Sequence, residues 1–349
     1  MGNNKTGIFM AIMAAALYGI SSPASKLLLI EIPPTLMASL LYLGAGLGML
    51  VVHGINVLSQ REPVEAKMNI KDWPYIVGMI LLDIAAPVLL MLGITMTTAA
   101  NASLLNNFEI VATSLIALMV FKEAIGRRMW IAITLITLSS MLLSAQNLGS
   151  VTFSSGSIFV LLACVCWGFE NNCTRMLSLK DPMQIVVVKG FGSGIGTLII
   201  SFFLKEYSSN LIYIALALLL GFVAYGLSIF FYIKAQRELG AARTSAYYAA
   251  APFIGVLVSW LVLQEGMTGT FLIALVVMLI GTYCAVSEAH EHDHVHEEQV
   301  HEHKHNHTDA HHHHLHDLEI IGEHSHEHTH KTYEHKHSHW PDLHHQHTH

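Results

Sequence analysis

The chain has 349 residues, 53% of them hydrophobic and only 12% charged, with a net charge of −7. Soluble globular domains carry about a quarter charged residues, so this composition excludes that class and points to a membrane protein. The charge is unevenly spread: Glu288–His349 carries 13 acids against three lysines, a balance of −10, which leaves +3 for Met1–Ser287.

A helix needs about 20 apolar residues to cross a bilayer core. Ten runs qualify in chain order. Ile8–Ile30 follows only Lys5 and exceeds the roughly 7–15 residues of a signal-peptide core, so it is expected to be a retained span. It carries Tyr18-Gly19. Thr35–Leu58 holds Gly44, Gly46, Gly48 and a lone His53 near an interface. Trp73–Thr95 has Asp83 mid-way, followed by Pro87. Thr98–Phe121 places Asn106, Glu109 and Thr113 about one turn apart, a polar stripe. Met129–Gln146 is apolar. Gly156–Met176 spaces Trp167, Glu170, Asn171 and Thr174 along one helical face. Gln184–Leu204 contains Lys189 and the glycines 192, 194 and 196. Leu211–Ile233 carries Tyr225 and Tyr232, Arg243–Leu263 carries Tyr247 and Tyr248, and Thr268–Ser287 completes the set. Cys164, Cys166, Cys173 and Cys284 all lie in apolar runs without zinc-type spacing, so they read as small buried hydrophobes.

Lys and Arg mark the orientation. With a cytoplasmic N-terminus, the inner loops hold Lys5, Arg61, Lys67, Lys71, Lys122, Arg127, Arg128, Arg175, Lys180, Lys234, Arg237 and Arg243. The outer loops hold only Lys26 and Lys205. An even number of spans then returns the C-terminus to the cytoplasm.

The chain repeats itself. Thr97–Glu123 returns as Leu239–Glu265 at a constant offset of 142, matching Ala99 with Ala241, Ser103 with Ser245 and Glu123 with Glu265. The two glycine triplets, and Pro34 with Pro182, repeat at 148; Tyr18-Gly19 and Trp167-Gly168 repeat at 149. Five spans per unit is odd, so the second copy enters the membrane inverted. Inverted repeats place a site near the bilayer midplane and open it to alternate sides. The expected fold class is therefore all-α integral membrane: ten transmembrane helices as two inverted five-helix repeats, with a disordered His-rich C-terminal tail. The expected units are 1–146, 147–287 and 288–349. The glycine triplets are read as close packing or as hinges, and Glu123 and Glu265 as residues that mark the repeat ends.

This pattern resembles the drug/metabolite transporter superfamily, specifically the EamA-type transporters. The likeness rests on the five-plus-five repeat and on the small-residue entry with terminal Glu (AANAS…FKE, GAARTSA…LQE). It also rests on the aromatic-Gly pairs Tyr18-Gly19 and Trp167-Gly168. It covers roughly residues 6–287. It implies a cavity lined by the first, third, fourth, sixth, eighth and ninth spans, small organic metabolites such as amino acids as solutes, and no bound redox cofactor. Two features depart from the family pattern. Pro252 keeps a proline common in the family motif, whereas the first copy reads Phe108-Glu109-Ile110. The tail after Ser287 has no counterpart.

An ionisable side chain mid-membrane costs several kcal/mol unless it faces a cavity or a partner. Asp83, Asn106, Glu109, Trp167, Glu170, Asn171 and Tyr248 are therefore the candidate substrate-binding residues. One of the carboxylates is the candidate carrier of a coupling proton, and Lys189 pairing with Glu109 or Glu170 is the competing structural reading. No nucleophile–base pair lies in the spans, so no enzyme is expected and no catalytic residue is assigned.

The tail holds 24 of the 25 histidines, largely as H-x-H-x-H-x-H. Neutral imidazole ligates Zn²⁺, Ni²⁺ and Co²⁺. Candidate metal ligands are His292, His294, His296, His301, His303, His305, His307, His324, His326, His328 and His330. With few apolar residues the tail is expected to lack ordered structure. The reading favoured is a secondary carrier for a small organic metabolite, an amino acid or related solute, in the cytoplasmic membrane. It works by alternating access, with proton coupling open. It needs no cofactor, meets the bilayer and a solute but no nucleic acid, and leaves a homodimer open. Two alternatives remain: a divalent-metal (Ni, Co or Zn) exporter fed by the tail, and a membrane-anchored metal store.

Overall fold

The computed structural model describes residues 4–58, 68–121, 126–147, 150–177, 180–239, 244 and 247–287, and in the tail 290–296, 299–305, 324–330 and 333–339. Among these, eight segments are helical, long and apolar enough to cross a membrane. They follow the predicted runs, but several are broken inside. The first run is α1 (Asn4–Gly19) and α2 (Ser21–Leu28), interrupted at Ile20 just before Pro23. Then come α3 (Pro34–Leu58) and α4 (Trp73–Met96), the latter with Pro87 inside. The fourth run is α5 (Ala99–Leu105) and α6 (Phe108–Phe121), separated by Asn106-Asn107. The fifth and ninth runs are the helices α7 (Arg127–Ser144) and α12 (Ala251–Val262). Between them lie α8 (Ser155–Leu177), α9 (Pro182–Phe203), α10 (Leu211–Leu220) and α11 (Ser228–Leu239); α13 (Gly269–Val286) follows. A π-helical segment, Gly221–Leu227, joins α10 to α11. A short antiparallel pair, β1 (Ala145–Asn147) and β2 (Ser150–Phe153), connects α7 to α8.

Local chemistry sets the helix starts. The side chains of Thr98, Asp181 and Thr268 each accept a backbone N–H of the helix that follows, from Asn101, Met183 and Phe271. Each such cap contributes about 1 kcal/mol. Pro182 sits at the first position of α9, where its missing N–H costs nothing.

The helices pack in specific pairs: α4 on α8, α3 on α9, α7 on α13, α1 on α11, α6 on α8, α1 on α12, α5 on α12, and α3 on the π-helical segment. Glycine permits the closest of these. A Cβ on Gly44 would lie 2.0 Å from the Leu218 carbonyl oxygen, and one on Gly192 would lie 2.6 Å from Ile80 Cδ1. The glycine triplets are packing surfaces here. The main core gathers Leu41, Met91, Ile94, Leu105, Trp167 and Tyr225. Outside it, large apolar side chains face outward, Phe203 and Leu211 each at 77% exposure. A water-facing surface would not carry these, whereas a lipid-facing one does.

The described segments of the tail are strands. β3 (His290–His296) pairs antiparallel with β6 (Tyr333–His339), and β4 (Gln299–His305) with β5 (His324–His330). Strict H-x-H alternation has the two-residue period of a strand. The register sets His292 opposite His337, His294 opposite His335, His301 opposite His328 and His303 opposite His326. His307 lies outside the described residues.

Candidate functional site

Three helices bring the mid-span charges together. Asp83 of α4 is fully buried, Glu170 of α8 is 2% exposed and Lys189 of α9 is 6% exposed. The Lys189 ammonium lies 3.0 Å from Asp83 Oδ2 and 2.9 Å from Glu170 Oε1. It therefore bridges two carboxylates. The remaining valences are met locally: the Tyr42 hydroxyl donates to Asp83 Oδ1 at 2.8 Å, and the Thr174 hydroxyl donates to Glu170. Of the two partners proposed for Lys189 from sequence, Glu170 is one. Asp83 takes the place of Glu109.

Glu109 stands apart from this bridge. It lies in the first turn of α6, directly after the helix break, and is only partly buried. The Asn171 side-chain amide donates to Glu109 Oε1 at 2.6 Å and to the Thr113 hydroxyl at 3.2 Å. Asn171 thus ties α8 to α6, while Glu170 beside it turns toward α9. The predicted common face of α8 is split between two clusters. Trp167 belongs to neither and is packed in the core at 5% exposure. Asn106 closes α5 with its side chain buried, and its Oδ1 has no hydrogen-bond partner. A cavity of about 250 Å³ flanked by Phe108, Ser140, Met141 and Leu161 contains no ionisable group among its lining residues, so it adds nothing to this chemistry.

Tyr248 lies just before α12, in a short helical turn that precedes the Ala249-Ala250 turn. Its ring is 5.8 Å from Tyr18 and 4.8 Å from Tyr232, centroid to centroid; Tyr18 is also 5.8 Å from Tyr225, and Tyr225 is 5.4 Å from Tyr42. The tyrosines thus form a run of rings that starts at Tyr42, bound to Asp83, and ends at Tyr232. Tyr18 and Tyr42 are not among the residues predicted from sequence. Tyr18 was visible only as half of an aromatic-Gly pair, and Tyr42, amid an apolar run, gave no signal.

One end of the molecule is tied by charged side chains reaching backbone groups. Both Glu265 carboxylate oxygens accept, from the N–H groups of Ala99 and Ala100, at 2.9 Å each. Lys26 donates to the Ile94 carbonyl, and to that of Thr97 at 2.6 Å. Glu206 accepts from the N–H groups of Thr35 and Leu36 at 2.8 and 3.2 Å. Glu265 is thus more than a marker of the repeat end: it caps the first half of a broken helix from another part of the chain. Its counterpart Glu123 lies outside the described residues.

All four cysteines are free. Among the described residues no three His, Cys, Asp or Glu side chains gather as a metal ion would require.

Comparison with known proteins adds four findings. The model of a family described as the EamA-like transporter family matches residues 5–145 and again 154–287. An uncharacterized transporter of Methanothermobacter thermautotrophicus is 24% identical over 293 residues, covering 79% of this chain and 85% of that protein. The uncharacterized transporter YyaM of Bacillus subtilis is 21% identical over 184 residues, covering 50% and 60%. A solved crystal structure superposes with a TM-score of 0.57 at 15% identity, covering 80% of this chain and 95% of that one. That likeness is one of fold.

Proposed function

Because the chain belongs to the EamA-like transporter family, we propose that it is a secondary carrier moving a small organic solute by alternating access. Membership supports a multi-pass membrane transporter rather than an enzyme. The observation that carries the finer reading is the placement of the polar groups. Glu109 and Tyr248 lie at interruptions in two spans, beside a sealed Asp83–Lys189–Glu170 bridge. Discontinuous helices at matching positions of two halves are where transporters build solute sites, and Asn106 and Tyr248 are related by the repeat offset of 142.

The packing supports two inverted five-helix units, 1–146 and 147–287, making ten spans. Numbering the runs from one to ten, the pairs three–six and eight–one, four–six and nine–one, and two–eight and seven–three are all present. Each is the other with k and k + 5 exchanged. Two–seven, five–ten and four–nine are their own images. This is the contact pattern that two interlocked copies of one unit generate.

Proton coupling fits the excess of carboxylates over the single ammonium. Glu109, held by an amide and facing partly open space, is the group best placed to exchange a proton. The tail, 288–349, binds a divalent cation, a role that the number and H-x-H spacing of its histidines in the sequence support. Metal transport through the spans finds no support among the described residues.

Flux of a panel of small organic solutes into proteoliposomes tests the carrier reading. Saturable uptake that Glu109→Gln abolishes or renders insensitive to an imposed pH gradient is expected. Wild-type flux and wild-type pH dependence in that variant would remove Glu109 from the mechanism.

A further inference from the structure

Resting on the carrier reading and its ten spans, the charges at the two ends of the molecule assign the tail a partner. We propose that the metal-free tail, 288–349, docks on the basic end face of the membrane part and restrains the carrier, and that divalent cations bound by its histidines release it.

The first argument is charge. Ten spans sort the loops onto two faces, and both termini share one of them. That face holds the twelve Lys and Arg residues of the inner loops against six acids, Glu62, Glu65, Asp72, Glu123, Asp181 and Glu238, a balance of +6. The opposite face holds Lys26 and Lys205 against Glu31, Glu206 and Glu265, a balance of −1. The tail carries −10. Its electrostatic complement is therefore the face from which it emerges.

The second argument is access. Lys5 in α1, Lys71 just before α4, Arg127 and Arg128 at the start of α7, and Lys234 in α11 are all exposed. Asp72, the acid beside Lys71, is engaged by Lys180 at 3.5 Å. The third argument is placement. Arg128 donates to the Ser287 carbonyl at 2.8 Å, which roots the tail beside the first turn of α7. β3 at the start of the tail pairs with β6 near its end, so the chain returns toward that root. A segment tethered this closely meets its partner at an effective concentration of about millimolar.

The fourth argument is the arithmetic of release. An ion held by neutral imidazoles adds two positive charges, so about five ions cancel the tail's balance of −10, and its 24 histidines, at about four ligands per ion, supply about six. A loaded tail has no net charge left to hold it on a basic face. Docking restrains the carrier because the exposed cations belong to both halves of the chain, α1, α4 and α7 to the first and α11 to the second. A tail lying across them ties together the two repeats that alternating access moves against each other.

Carbodiimide cross-linking of the purified full-length protein in detergent, read by mass spectrometry, reports the contact without transport. Lys5, Lys71 and Lys234 are expected to join tail carboxylates beyond Glu302. Ni²⁺ should lower these yields roughly fivefold, as should salt at about 1 M, where the screening length falls to ~3 Å. Mg²⁺ at the same concentration as Ni²⁺ should leave them unchanged, because it seeks oxygen ligands rather than imidazole. Flux of small organic solutes in vesicles of neutral phosphatidylcholine reports the restraint. Ni²⁺ should raise the rate severalfold in the full chain, and a chain ending at Ser287 should run at the raised rate with or without it. Absent cross-links, or yields that Ni²⁺ and Mg²⁺ change equally, overturn the docking. Cross-links that respond to Ni²⁺ while flux does not overturn the restraint. If the cross-links respond as expected but no solute moves in either chain, the carrier reading falls and the docking stands.

Discussion

Replacing Lys189 by Met tests the bridge. The substitution keeps most of the side-chain volume and removes only the ammonium. Asp83 Oδ2 then faces nothing, since Tyr42 holds the other oxygen, and Glu170 keeps only the Thr174 hydroxyl. Two buried carboxylates, previously 3.0 and 2.9 Å from one cation, are left without it. Removing one partner of a buried pair costs about 3–5 kcal/mol, which at about 2 °C per kcal/mol for a chain of this size is a fall of roughly 6–10 °C in Tm. Asp83→Asn should behave differently. It leaves Lys189 with Glu170, a balanced pair, so the loss should stay near the roughly 1 kcal/mol of an ordinary hydrogen bond. Adding Asp83→Asn to Lys189→Met should then recover part of the loss, a coupling that a double-mutant cycle measures. The assay is thermal unfolding of the purified protein in detergent, followed by intrinsic fluorescence. Equal losses for Lys189→Met and Asp83→Asn would refute the shared-ammonium account.

Three further outcomes follow from the geometry. Glu265→Ala removes the acceptor of the Ala99 and Ala100 N–H groups, at about 1–2 kcal/mol for a lost cap; amide exchange across residues 99–105 should accelerate roughly 5–30-fold, and unchanged exchange would deny the tie. Gly44→Ala brings a Cβ to 2.0 Å from the Leu218 carbonyl, whereas at Gly54 nothing lies within 4 Å; the first should cost about 1–3 kcal/mol and Gly54→Ala almost nothing, compared by the same thermal assay. Calorimetric titration with Ni²⁺ should show binding by the full chain that is lost when the chain ends at Ser287, and equal binding by both would move the metal site out of the tail.

Much of the fold was written in the sequence because lipid imposes a length and a polarity on each span. Runs such as Thr35–Leu58 and Gln184–Leu204 return as α3 and α9 with bounds shifted by a few residues. The breaks were not legible. Asn106-Asn107 interrupts an otherwise apolar run, and the break at Ile20, between Gly19 and Pro23, leaves the apolar run itself uninterrupted. Neighbouring helices that accept the freed backbone groups decide such places. Pairing was equally hidden. Asp83, Glu170 and Lys189 lie on three helices, and only the packing of α4 on α8 and α9 brings them together. Repeat matching identified Glu265 as a marked position, but its ligands, the N–H groups of Ala99 and Ala100, belong to a distant part of the chain. In the tail, the H-x-H alternation has the two-residue period of the strands in its described segments.

The carrier claim meets its most direct test in counterflow. Proteoliposomes containing the full-length protein are loaded with an unlabelled small organic solute that the flux panel shows to move, and diluted into a trace of the labelled compound. A site open to one side at a time predicts a transient accumulation of label above its equilibrium level, absent without internal solute. A monotonic rise to equilibrium, unaffected by the internal load, would show a continuous pore and contradict alternating access.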